Sequence, residues 1–114
     1  MKILVEKQKP WTVMTLDGNL NADTGPGFYL RFQQELFQGN TRFRLILRDV
    51  HLVDSAGLGM LVRCYRDARG RGGEVCLEDV PAPIERILEF TRLDTIFRVQ
   101  NGLDETGESR QGAA

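Results

Sequence analysis

The chain has 114 residues, of which 41% are apolar and 27% charged, which suits one domain around one core. A formal net charge of −1 supplies no field that would draw nucleic acid or an anionic membrane. No apolar run approaches the roughly 20 residues that span a bilayer, and Met1-Lys2 leads into an alternating strand instead of the apolar core of a secretory signal, so a cytoplasmic location without membrane insertion is expected.

Residues 3–7 and 12–16 read as two strands, with Ile3, Val5, Val13 and Leu16 as apolar positions and Pro10-Trp11 between them, the pattern of a hairpin. Asp17-Gly18 ends the second strand, and residues 19–21 add a short extended piece. Thr24-Gly25-Pro26-Gly27 opens a helix, since proline in a first turn loses no hydrogen bond. Phe28, Phe32 and Leu36 recur at helical spacing, with Tyr29 on the same side, while Gln33, Gln34 and Glu35 are expected to face outward. Gly39-Asn40 stops this helix.

Residues 43–53 are almost continuously apolar, which predicts a central strand covered on both faces; Asp49 and His51 interrupt it and predict a bend or bulge. A helix follows from Ser55, with Leu58, Leu61, Val62, Tyr65 and Ala68 inward and Arg63, Arg66, Asp67 and Arg69 as its wet face. Gly70-Arg71-Gly72-Gly73 ends it. Residues 74–80 form another strand, Ile84, Ile87 and Leu88 mark a third helix ending near Leu93, and residues 95–99 a last short strand. Residues 101–114 carry one large apolar residue, Leu103. They cannot offset an ordering cost of about 1–2 kcal/mol per residue and are expected to form a polar, disordered tail. From the third element on, strands and helices alternate, so the fold class is α/β: a mixed four- to five-stranded sheet with helices packed against it.

Candidate chemistry centres on Val53-Asp54-Ser55-Ala56-Gly57-Leu58-Gly59. Ser55 sits where a strand ends and a helix begins, where the first N–H groups lack partners and the helix dipole is positive. Two readings of the serine stand side by side: a cap for its helix, worth about 1 kcal/mol, or an acceptor for phosphate, which such a terminus can hold. A cap leaves the glycines unexplained, because each costs up to about 1 kcal/mol against alanine inside a helix. A serine nucleophile is disfavoured. Val53 replaces the first glycine of a G-x-S-x-G elbow, and the one histidine, His51, lies four residues upstream at roughly 13 Å along a strand. No Walker loop occurs, Val62 breaks a G-x-G-x-x-G run, and Asp49 and Asp54 have no third ligand, so neither a nucleotide cofactor nor a metal is expected. Cys64 and Cys76 lack a CxxC spacing and read as two buried reduced thiols.

Asp54-Ser55-x-Gly57-Leu58-Gly59 after an apolar strand resembles the signature of the STAS domain family, and within it the single-domain bacterial anti-sigma factor antagonists. Leu16-Asp17-Gly18-Asn19-Leu20-Asn21, Gly72-Gly73-Glu74-Val75 and Pro83-Ile84-Glu85-Arg86-Ile87-Leu88 support the resemblance, which assigns residues 1–100 to one STAS domain. It implies a regulatory binding protein rather than an enzyme. An anti-sigma factor that is also a serine kinase would be its partner, phosphorylation of Ser55 would end the binding, and a phosphatase would restore it. Asn21, Asp23, Thr24, Asp54, Ser55, Ala56, Gly57 and Gly59 would form the partner-facing patch. In relatives an acidic residue often stands at the position of Asn21, and Asp or Asn at that of Ile46, both contributing to the polar surroundings of the serine. The alternative that the resemblance leaves open is a STAS subunit or scaffold that binds constitutively in a transporter-associated or stress-signalling complex.

Overall fold

A computed structural model describes residues 1–100. The elements run β1 (Lys2–Gln8), β2 (Trp11–Leu20), α1 (Gly25–Phe37), β3 (Arg42–Val53), α2 (Ser55–Gly70), β4 (Glu74–Glu78), α3 (Ala82–Phe90), a 3₁₀ turn (Leu93–Thr95) and β5 (Arg98–Gln100). The expected tail, residues 101–114, lies outside the described residues.

The five strands lie in sequence order, with β1 antiparallel to β2 and every later pair parallel. Three crossovers therefore step across the sheet in one direction. Right-handed connections of that kind put their helices on one face. Met14, Leu16, Phe43, Leu45, Leu47, Val75 and Leu77 of the sheet meet Phe28, Phe32, Leu61, Cys64, Ala68, Ile84 and Leu88 of the helices in one buried cluster. The opposite face is laid with long polar side chains. Arg44 donates two hydrogen bonds to Glu78, at 2.7 and 2.8 Å, and the Arg42 guanidinium stacks on Trp11. Beneath them Val13, Ile46 and Cys76 are buried.

Several details depart from the expectations. The second strand is continuous from Trp11 to Leu20 instead of stopping at Asp17. The strand keeps its pairing because β3 bulges: two steps from Thr15 to Asp17 match three from Ile46 to Asp49, and two from Gly18 to Leu20 match three from Val50 to Val53. Glu35 does not face outward. It is 3% exposed and bound by Lys7 of β1, by Arg31 one turn earlier and by Asn40. On α2 the buried stripe is Gly57, Leu61, Cys64 and Ala68, with Leu58, Val62 and Tyr65 at its rim. The third helix ends at Phe90, two residues before Arg92 turns left-handed at φ 64°, and the last strand is Arg98–Gln100. Both helix stops act as expected: Gly39 and Gly72 adopt φ 94° and 76°.

Candidate functional site

The strand-to-helix junction is where β3 delivers Val53 into the core and the backbone turns into α2. Asp54, not Ser55, caps the helix. Its backbone is extended (φ −93°, ψ −176°) and its carboxylate accepts a hydrogen bond from the Gly57 N–H at 2.8 Å. Ser55 is the first helical residue, exposed, and its hydroxyl makes no hydrogen bond among the described residues. The cap reading of Ser55 is thereby corrected. With Gly57 satisfied by Asp54, the N–H groups of Ser55 and Ala56 are the ones left without intrahelical partners.

The two glycines of the first turns differ in kind. A Cβ on Gly57 would sit 2.2 Å from the carbonyl oxygen of Leu20, so α2 lies directly on the end of β2. The same carbonyl accepts the Asp54 N–H at 3.2 Å. Gly57 is buried and serves this packing, which removes it from the expected partner-facing set. Gly59 is exposed, has no atom within 4 Å of a Cβ, and has no left-handed backbone to require a glycine.

Beside the junction, residues 21–24 form a tightly bonded loop. The Asn21 side-chain oxygen accepts from the N–H groups of Asp23 (2.9 Å) and Thr24 (3.0 Å). The Thr24 hydroxyl accepts from the Asn21 N–H at 3.0 Å and donates to the Asn19 carbonyl at 2.7 Å. Asn21 thus organises its own loop, a use that a short side-chain acceptor serves well. Asp23 remains exposed. The loop is tied to α2 by Gly25, whose Cβ position is 3.0 Å from Met60 Cγ. Asn21, Asp23 and Thr24 thus lie in the loop before α1, and Asp54, Ser55, Ala56 and Gly59 at the cap and in the first two turns of α2. Leu20 and Met60, which hold these parts together, escaped sequence reasoning because their contacts are a carbonyl and a thioether stem.

Ile46 does not belong to these surroundings. It pairs with Thr15 and Glu78 in mid-sheet, nine residues and roughly 25 Å of strand before Ser55. His51 is exposed on β3. Among the described residues, no group of three or more His, Cys, Asp or Glu side chains gathers as metal ligands, and no helix is long and apolar enough to cross a membrane. Cys64 and Cys76 are buried and unpaired with each other.

The family model of the STAS domain matches residues 2–106. The chain belongs to the STAS domain family. This STAS domain is 32% identical over 81 residues to a Thermotoga neapolitana protein named as a candidate anti-sigma factor antagonist, covering 71% of this chain and 72% of the relative. It is 23% identical over 100 residues to the anti-sigma F factor antagonist of Paenibacillus polymyxa, covering 87% and 86%. Among solved structures, a candidate anti-sigma factor antagonist from Thermotoga maritima superimposes with a TM-score of 0.84 at 25% identity, over 91% of this chain and 90% of that one. The anti-sigma factor antagonist SpoIIAA in its unphosphorylated form shares the fold with a TM-score of 0.73 at 17% identity, over 92% and 93%. The mixed four- to five-stranded sheet with helices expected from the sequence is present with five strands, and it is the STAS architecture.

Proposed function

We propose that this STAS domain is an anti-sigma factor antagonist that binds an anti-sigma factor and is released by phosphorylation of Ser55. The observation that carries this reading is the division of labour at the junction: Asp54 caps α2, leaving the Ser55 hydroxyl exposed and uncommitted, one helical turn from a glycine that the fold does not need. The names of the relatives support the antagonist role.

The switch follows from charge. A phosphate adds about −1.5 to −2 charges. It would stand beside the Asp54 carboxylate on a surface that must lose water to bind. The free N–H groups of Ser55 and Ala56, with the positive end of α2, would hold it without unfolding the helix. Release would then be local, and the fold would stay. In support, SpoIIAA solved in its phosphorylated form matches this fold with the same TM-score, 0.73, as its unphosphorylated form. The kinase is the anti-sigma factor itself on this reading, and a phosphatase reverses the mark.

The test is incubation with ATP and each anti-sigma factor of the source organism, followed by intact-mass analysis, site mapping and titration. One phosphate on Ser55, abolished in Ser55→Ala, and affinity at least tenfold lower for the phosphoprotein are the expected results. Ser55→Asp carries less charge and should weaken binding in part. Equal affinity of both forms would refute the switch and leave a constitutively binding STAS scaffold.

A further inference from the structure

β1 is one edge of the sheet. It pairs with β2 alone, and among the described residues its backbone makes no hydrogen bond outside that ladder. Alternate residues of its seven therefore turn free N–H and C=O groups outward. The opposite edge, β5, is only three residues long. Charge is a common way to blunt an edge strand. On one face β1 carries Lys2 and Glu6, with Leu4 between them. All three are exposed, Leu4 by 58%, and neither charge has an ion-pair partner among the described residues. Such an edge repels a strand that sets like charge against like, but it does not repel itself. An antiparallel copy centred on Leu4 sets Leu4 against Leu4, Lys2 against Glu6 at both ends, and Ile3 against Val5 at both ends. Sliding the copy by two residues sets Leu4 against Lys2 in one direction and against Glu6 in the other. Lys7 faces the helix side, bound to Glu35, and in the centred register stands opposite Met1, so it adds no like pair.

We propose that this domain forms a two-fold symmetric dimer in which β1 pairs antiparallel with β1 of a second copy, in the register centred on Leu4. The occupant of the edge is specified by the strand itself, because charge and apolar pattern match in the same register. Directly opposed residues share a face, so the helices of both copies lie on one side and the two sheets join into one. Ile3 and Val5 are half-buried against the core, and the second copy's Val5 and Ile3 would extend that apolar layer across the edge. On the open face the Leu4 pair continues a row that runs through Thr15 to the buried Ile46. No residue of the Ser55 surface takes part, so the dimer and the antagonist reading stand or fall separately.

The experiment is sedimentation velocity over a concentration series of the full chain, with wild type, Leu4→Asp, Lys2→Glu, Glu6→Lys and the double exchange Lys2→Glu/Glu6→Lys, and far-UV circular dichroism to show that each is folded. Wild type should sediment as a dimer at the upper concentrations. Each single variant should raise the dissociation constant at least tenfold, because it sets two like-charged pairs, or two carboxylates on the axis, across the edge. The double exchange restores opposite charges at both ends and should dimerise again. A mixture of Lys2→Glu with Glu6→Lys should form a heterodimer that neither forms alone. Lys2 stands opposite Asp17 within its own chain, whereas Glu6 stands opposite Val13, so Glu6→Lys tests the pairing without adding a like charge inside the fold. A wild type that stays monomeric throughout the series overturns the proposal. So does a dimer whose dissociation constant is unchanged in Leu4→Asp and Glu6→Lys, since its interface would then lie elsewhere.

Discussion

Gly57→Ala and Gly59→Ala are the same substitution two residues apart, and the structure gives them opposite signs. In both, alanine gains helix propensity of up to about 1 kcal/mol. At Gly59 the new methyl meets nothing within 4 Å, so that gain stands alone and the variant should be stabilised by about 0.5–1 kcal/mol. At Gly57 the methyl would lie 2.2 Å from the Leu20 carbonyl oxygen and 2.9 Å from its carbon. These are backbone atoms of β2, locked in the sheet, and the same oxygen holds the Asp54 N–H. Relief requires α2 to move off β2, which strains the capped turn. Overpacking of this kind costs roughly 1–3 kcal/mol. The rigid neighbour places this site at the upper end, so about 2 kcal/mol remains after the propensity gain. Urea unfolding followed by far-UV circular dichroism should show the midpoint of Gly57→Ala lower by about 1 M, given slopes of about 1–3 kcal/mol per M, and that of Gly59→Ala slightly higher. A neutral or stabilised Gly57→Ala would refute the packing of α2 on the Leu20 carbonyl.

Asp54→Ala removes the cap from the Gly57 N–H and should cost about 1 kcal/mol, whereas Ser55→Ala should change stability by only a few tenths of that; equal losses in urea unfolding would return the cap to Ser55. Glu35→Ala strips the shared carboxylate from Lys7 and Arg31. Both cations reach water, with side chains 41% exposed, so a loss of about 1–2 kcal/mol is expected rather than the larger cost of a fully buried pair, read from the same unfolding curves. Burial pushes the Cys76 thiol up to about 11 and the Cys64 thiol well above its usual value. Protonated thiols are therefore favoured by the fold, and their contribution to stability is fully present below the ordinary value of 9.0 and is lost as pH rises toward 11. Thiol titration at pH 8 should accordingly label the native protein far more slowly than the unfolded chain, and rapid labelling of the native protein would place a cysteine at the surface.

Much of this protein is local and therefore legible along the chain. The apolar run of residues 43–53 specifies a central strand, the periodicity after Ser55 specifies α2, and Gly39 and Gly72 specify the stops, because period and positive φ are properties of consecutive residues. The strand–serine–helix junction, with the glycines after it, is likewise written in one short segment. What the tertiary structure decided are the contacts between segments distant in sequence. Which acid or hydroxyl caps α2 depended on how β3 enters the turn, and Asp54 took the role because its extended backbone aims its carboxylate at Gly57. Glu35 lies on the face that sequence pattern assigned to solvent, but β1 brings Lys7 over it, so a carboxylate is buried where periodicity alone predicts exposure. Gly57 and Gly59 look alike in the motif. Only the Leu20 carbonyl, 37 residues earlier in the chain, separates the glycine that packing requires from the one it leaves open.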